Sequence, residues 1–152
     1  MSDRLRVACV QLNSTDTKAE NIERAEGLVA RAAATGADLV VLPEKWTGIG
    51  PPEMMRGLAE SLDDGETVEA MSGWARTHGV TLVGGSIVER REGREKLSNT
   101  CMVFDPQGEI QAVYRKIHMF DVRSGARSTA SRRPRSQARL RSRPRSRAGR
   151  SG

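Results

Sequence analysis

Two charged side chains stand where apolar runs end. Glu44 follows "LVVLP" and Lys116 follows "AVYR". In open α/β sheets, sites form outside the ends of strands. A carboxylate placed there can serve as a general base. An ammonium placed there can stabilise an oxyanion. Spacing alone leaves open that both are solvated residues where the chain leaves a sheet. The other reactive side chains are few. Cys9 and Cys101 lie inside strand-like runs and read as buried, small apolar residues. His78 reads as a helix-end residue and His118 as a strand neighbour of the lysine, neither in a ligand pattern.

The elements that must position these groups alternate. The run at 5–12, "LRVACVQL", predicts a strand buried on at least one face. Residues 19–36 carry Ile22, Ala25, Leu28, Val29 and Ala32 at helical spacing, with Gly36 as the stop. Residues 37–44 form a second short apolar run ended by Pro43. Strand, helix and strand within forty residues favour a parallel pair with a crossover helix. Residues 45–57, "KWTGIGPPEMMRG", read as a Gly- and Pro-rich loop. A second helix follows over 65–79, with Val68, Met71, Trp74 and Ala75 on one face and Gly79 at its end. Strands are expected at 80–90, 97–110 and 111–121 with no helix between them, hence an antiparallel meander. The whole is an α/β domain, a mixed sheet with helices on one face. "KWTGIGPP" is readable either as pocket lining or as plain surface loop. Gly84, Gly85 and Ser86 are readable either as a close backbone approach near the site or as packing.

Composition divides the chain in two. Residues 1–122 hold 14 basic and 19 acidic side chains, a balance of −5, whereas residues 123–152 hold eleven arginines and no acid. A basic chain ordinarily points to nucleic acid or an anionic membrane, but here only the last thirty residues carry that charge. The start shows no secretory signal, and no stretch approaches the roughly 18 apolar residues of a membrane span. Two cysteines in strand contexts fit a reducing, cytoplasmic compartment.

"VACVQLNSTDTKAENIERA", "LVVLPEKWTGIG" and "SNTCMVFDPQGEIQAVYRKIHMFD" together resemble the carbon–nitrogen hydrolase (nitrilase/amidase) superfamily, in its omega-amidase-like and deaminated-glutathione-amidase-like branch. The resemblance runs from about residue 4 to Val122. It implies the N-terminal part of an α–β–β–α sandwich, a homodimer, a small-molecule amide or nitrile substrate, and no metal or organic cofactor. It also implies a Glu–Lys–Cys triad in that chain order. Glu44 matches the general base, and Lys116 matches the lysine that meets the tetrahedral intermediate. The nucleophile should follow the lysine in a motif resembling G-x-x-x-C-Y-D-x-R-F. No cysteine follows Lys116, and neither Cys9 nor Cys101 has that context. The expectation is therefore a truncated, inactive member.

The change in composition at Arg123 falls inside a family block. Related enzymes continue with something similar to V-x-V-G-G-K-x-Y-R-E-S. One permitted codon set for residues 122–138, with a single G inserted after the Val122 codon, reads V-A-V-G-G-K-V-Y-R-E-S-E-A-E-E-P-G. Residues 1–122 are thus expected to be a partial hydrolase domain. Residues 123–152 are expected to be a disordered tail translated out of frame. The rival reading is a tail that binds nucleic acid through its arginines, although it has no aromatic residue for base stacking.

Overall fold

The fold is built on a sheet that the crossover helix makes parallel at one end and hairpins make antiparallel at the other. In the computed structural model, residues 4–118 are described. The strands are β1 (Val7–Cys9), β2 (Leu39–Val41), β3 (Thr81–Val83), β4 (Ile87–Glu89), β5 (Ser98–Phe104) and β6 (Ile110–Arg115). The helices are α1 (Lys18–Ala34), α2 (Pro52–Gly57) and α3 (Glu66–His78). β1 pairs with β2, and β2 with β3, both parallel. The long strand β5 runs antiparallel to β3 and β4 along one edge and to β6 along the other.

Both long helices lie on one face of the sheet. Ala25 and Val29 of α1 and Met71, Trp74 and Ala75 of α3 are buried against Val40, Leu82, Met102 and Phe104 of the strands. Alternation along each strand decides which side chain joins this core. Leu82 faces Phe104 in register, and Val40 faces Leu82. Their neighbours Val41, Val83 and Val103 point to the other face, where they are only half-buried. The described residues therefore comprise one helical layer and one sheet, half of a four-layer sandwich. No helix among them is long and apolar enough to cross a membrane.

Each long helix stops where the sequence supplies a left-handed residue. Gly36 follows the α1 cap at φ +80°, and Gly79 caps α3 at φ +62°. A side chain at such angles costs about 1–2 kcal/mol, and glycine avoids that cost. The expected faces hold as well. Val68, Met71, Trp74 and Ala75 are the apolar residues buried on α3.

Three expectations are corrected. The stretch 45–57 is not all loop, because Pro52 opens the short helix α2, where its fixed φ and missing N–H are tolerated. The strand expected over 80–90 is two strands, because Gly85 at φ +62° breaks the extended backbone after Val83. The antiparallel meander holds across that break, with β3 and β4 in succession along one edge of β5 and β6 along the other. Cys9 is exposed, not buried, because it points from the edge strand β1 to the face without helices. The final strand ends at Arg115, one residue before the lysine. The expected tail at 123–152 lies outside the described residues.

Candidate active site

Glu44 and Lys116 are 72 positions apart in the chain, and the fold brings them into contact. The Lys116 ammonium donates to Glu44 Oε1 at 3.0 Å. Parallel pairing carries the end of the β2 segment alongside Gly84–Ser86, so that Glu44 bridges Ser86. The β5–β6 hairpin delivers the lysine, whose backbone N–H donates to Asn99 O at 2.8 Å.

The backbone around Glu44 is held tightly. Gly85 packs against the chain just before it: a Cβ there would meet Pro43 O at 2.0 Å and Leu42 O at 2.8 Å. Ser86 donates its N–H to Pro43 O at 3.3 Å, and its Oγ accepts the Lys45 N–H at 3.0 Å. Lys45 itself sits at φ +53°, a sparsely populated angle for a side chain of this kind. The next residue, Trp46, is fully buried, stacks at a tilt on Trp74 with centroids 5.9 Å apart, and donates its indole N–H to Gly84 O at 3.0 Å. Gly84, Gly85 and Ser86 thus provide the close backbone approach, and "KWTGIGPP" anchors the chain after Glu44 through its buried Trp46 and Thr47.

The sequence reading missed Asn99. Its side chain donates to Glu44 Oε1 at 2.7 Å, so one carboxylate oxygen receives both the lysine and the asparagine. Asn99 sits inside the run "SNTCMVF", where a polar residue reads as ordinary strand alternation. Its signal was the adjacent polar pair Asn99–Thr100, both buried at the start of a strand whose later residues are apolar. Thr100 points to the other face and donates to Glu89 Oε2 at 2.6 Å. Glu89, almost fully buried, also accepts two hydrogen bonds from the Arg115 guanidinium at 2.7 Å each. This cluster fixes the residue immediately before Lys116.

These contacts set the charges. The Lys116 hydrogen bond, and then that of Asn99, hold the Glu44 carboxyl below the usual carboxylate range. Glu44 is consequently ionised at neutral pH and able to accept a proton. Burial pushes Glu89 up, but the hydrogen bonds from Arg115 and Thr100 outweigh it and leave the group below its ordinary value. The pair opens on a cleft of about 350 Å³ with Ser86 and Asn99 also on its wall. Val83, Cys101 and Tyr114 supply the apolar lining. Cys101 therefore reaches the site, but burial pushes its thiol up, away from the thiolate that a nucleophile requires. Cys9, His78 and His118 do not line this cleft. Among the described residues no group of three or more His, Cys, Asp or Glu is placed to hold a metal ion.

The family model for carbon-nitrogen hydrolases matches residues 6–149. The chain belongs to the carbon-nitrogen hydrolase family. The match continues past Val122, where the resemblance was expected to end. The chain is 43% identical over 119 residues to the omega-amidase NIT2 of Danio rerio, covering 78% of this chain and 42% of that protein. It is 39% identical over 117 residues to omega-amidase NIT2 of Homo sapiens, covering 77% of this chain and 41% of that one. The chain thus spans about two fifths of the length of these relatives. Among solved structures, the nitrilase-superfamily protein Nit3 of Saccharomyces cerevisiae superposes with a TM-score of 0.69 at 29% identity, over 75% of this chain and 44% of that one. An amidase from Nesterenkonia sp. AN1, in a Glu-to-Gln mutant bearing the result of acrylamide addition at its active-site cysteine, superposes with a TM-score of 0.67 at 25% identity, over 78% of this chain and 46% of that one. The described residues thus have the nitrilase fold.

Proposed function

We propose that this chain carries the base and the oxyanion-stabilising half of a carbon–nitrogen hydrolase site, acting on a small amide or nitrile, and lacks the nucleophile. The observation that carries the reading is the Glu44–Lys116 contact at 3.0 Å, on the wall of a cleft sized for a small molecule. In the complete reaction a thiolate attacks the amide carbon. Glu44 takes and returns protons so that ammonia can leave, and then activates water. Lys116 meets the charge that develops on the carbonyl oxygen. Short omega-amides are the first substrates to test, since relatives sharing 39–43% of aligned residues are named omega-amidases.

Inactivity is part of the proposal. No cysteine follows Lys116 in the chain, and Cys101 is held as a neutral thiol. Loss of the attacking group removes most of the acceleration in enzymes of this logic. Purified 152-residue protein should release no ammonia from a short-chain omega-amide above the buffer rate. Turnover that Cys101→Ala abolishes would overturn this. The reading extends to a frame change after Val122, supported by the composition shift at Arg123 and the family-like alternative frame. Resequencing the codons for 121–127 and expressing the frame with one added base decides it. A stop codon before any cysteine would sink the account. A homodimer is supported by exposed apolar side chains such as Ile110, Tyr114 and Ile117. A cytoplasmic location is supported by the two free thiols.

A further inference from the structure

The face of the sheet away from the helices is apolar and open. Ala8, Val40, Leu82 and Met102 turn toward the core beneath α1 and α3, so their strand neighbours turn the other way. One cross-strand row on that side runs in register from Cys9 through Val41, Val83 and Val103 to Ala112. A second row, Val7, Leu39 and Thr81, lies beside it. Val7 is 49% exposed, and Tyr114, registered opposite Cys101 on the same face, is 60% exposed. None of these positions carries a charge. Five strands abreast at about 4.8 Å, each with about 10–20 Å of extended chain, give a face on the order of 400 Å² in projection. A contiguous apolar patch of that size commonly marks an interaction surface.

The cover for this face must be flat, apolar, uncharged and twisted like the sheet itself. Residues 123–152 do not supply it, since they hold eleven arginines, no acid and one large aliphatic residue, Leu140. A second copy of the same face does. Sheets pack face to face about 10 Å apart with their strands within about 30° of each other, and a two-fold contact needs only one self-complementary patch. We propose that two copies of this chain pack these open faces against each other, giving a dimer of four layers with the helices outside and the two sheets within. Projected area is a floor on accessible area, so the pair buries at least about 800 Å² in total, the scale of a weak but specific association. Salt strengthens it, because the apolar contact is indifferent to screening while the repulsion between two arginine-rich segments is not. The association needs no catalytic competence. It encloses the cleft, whose Val83, Cys101 and Tyr114 wall belongs to the same face.

The test is sedimentation equilibrium of the full 152-residue chain across a wide concentration range in moderate salt, with the rate of Cys9 alkylation followed on its peptide by mass spectrometry. A monomer–dimer equilibrium is expected, and Cys9 should react more slowly as the dimer fills. Val41→Lys puts a charge at the middle of the row and should weaken the dimer at least tenfold, with Cys9 then reacting at one rate throughout. Glu23→Lys, on the exposed side of α1, should leave the dimer intact. A monomer at every concentration, a dimer that Val41→Lys leaves intact or Glu23→Lys dissolves, or Cys9 reacting equally at every concentration would each overturn the proposal. So would assembly beyond the dimer, since a face paired once is spent. Should Val41→Lys fail to fold, the concentration dependence of Cys9 alkylation in the wild-type chain decides alone.

Discussion

Substitution of Gly85 by alanine should damage the site from a distance, and the structure gives the size of the damage. At φ +62° any L side chain costs about 1–2 kcal/mol in backbone strain. The added Cβ would also lie 2.0 Å from Pro43 O, against 3.4 Å for an ordinary contact. The two backbones must separate by roughly 1.4 Å to relieve it. That movement lengthens Ser86 N–H to Pro43 O and Lys45 N–H to Ser86 Oγ beyond hydrogen-bond reach. Each lost bond costs about 1 kcal/mol. The total for Gly85→Ala is about 3–4 kcal/mol. Gly79→Ala is the control, since it has the same φ of +62° but meets nothing within 4 Å. It should cost only the backbone part, about 1–2 kcal/mol. Urea unfolding of both variants measures the difference, which should be about 2 kcal/mol with Gly85→Ala the worse. The carboxylate resonance of Glu44 should shift in Gly85→Ala and stay in place in Gly79→Ala. Equal costs in the two variants would refute the idea that close approach at Gly85 sets the position of Glu44.

In Lys116→Met the Glu44 carboxyl should titrate at higher pH than in the wild type, because the larger of its two stabilising hydrogen bonds is gone. The folded pKa of Glu44 is depressed, so its contribution is present above the unfolded value and is lost as pH falls through the folded one. Carbon-13 titration of the side chain checks this; an unchanged midpoint contradicts it. Arg115→Ala should cost about 2–3 kcal/mol, since it leaves the Glu89 carboxylate buried with Thr100 alone, whereas Arg24→Ala, which breaks an exposed pair with Glu20, should cost under about 0.5 kcal/mol. Denaturation midpoints of the two variants compare them directly. Trp46→Phe should cost about 2–3 kcal/mol, through the volume lost from a fully buried site and through Gly84 O left without its indole donor. A loss below about 1 kcal/mol on denaturation would show that the loop after Glu44 is not anchored there.

What could be read from the chain, and what could not, follows the range of the forces involved. Gly36 and Gly79 announced the helix ends because a left-handed cap is a local demand that a single residue type meets. The buried face of α3 was readable because helical spacing encodes it directly. Glu44 and Lys116 could be singled out because each follows an apolar run, the resemblance suggested their roles, and the structure shows them in contact. The misses are tertiary. Cys9 has the same local surroundings as a buried strand residue, and only the location of the helices on the opposite face exposes it. The Gly84–Gly85 pair reads as a close backbone approach or as packing until Pro43 is seen against Gly85. Asn99 is the instructive case. Strand alternation allows a polar residue at that position and says nothing of its partner, which lies 55 positions away. Its neighbour Thr100 points to the opposite face and binds Glu89, so two adjacent buried polar residues serve two different clusters. One cluster fixes the residue before Lys116, and the other receives the lysine itself. A buried polar pair at the head of an otherwise apolar strand therefore marked the point where the acidic and basic halves of the site are tied together. It marked that point more directly than the charged residues did, because a charge at a strand end can always be solvated, whereas a buried amide must find a partner.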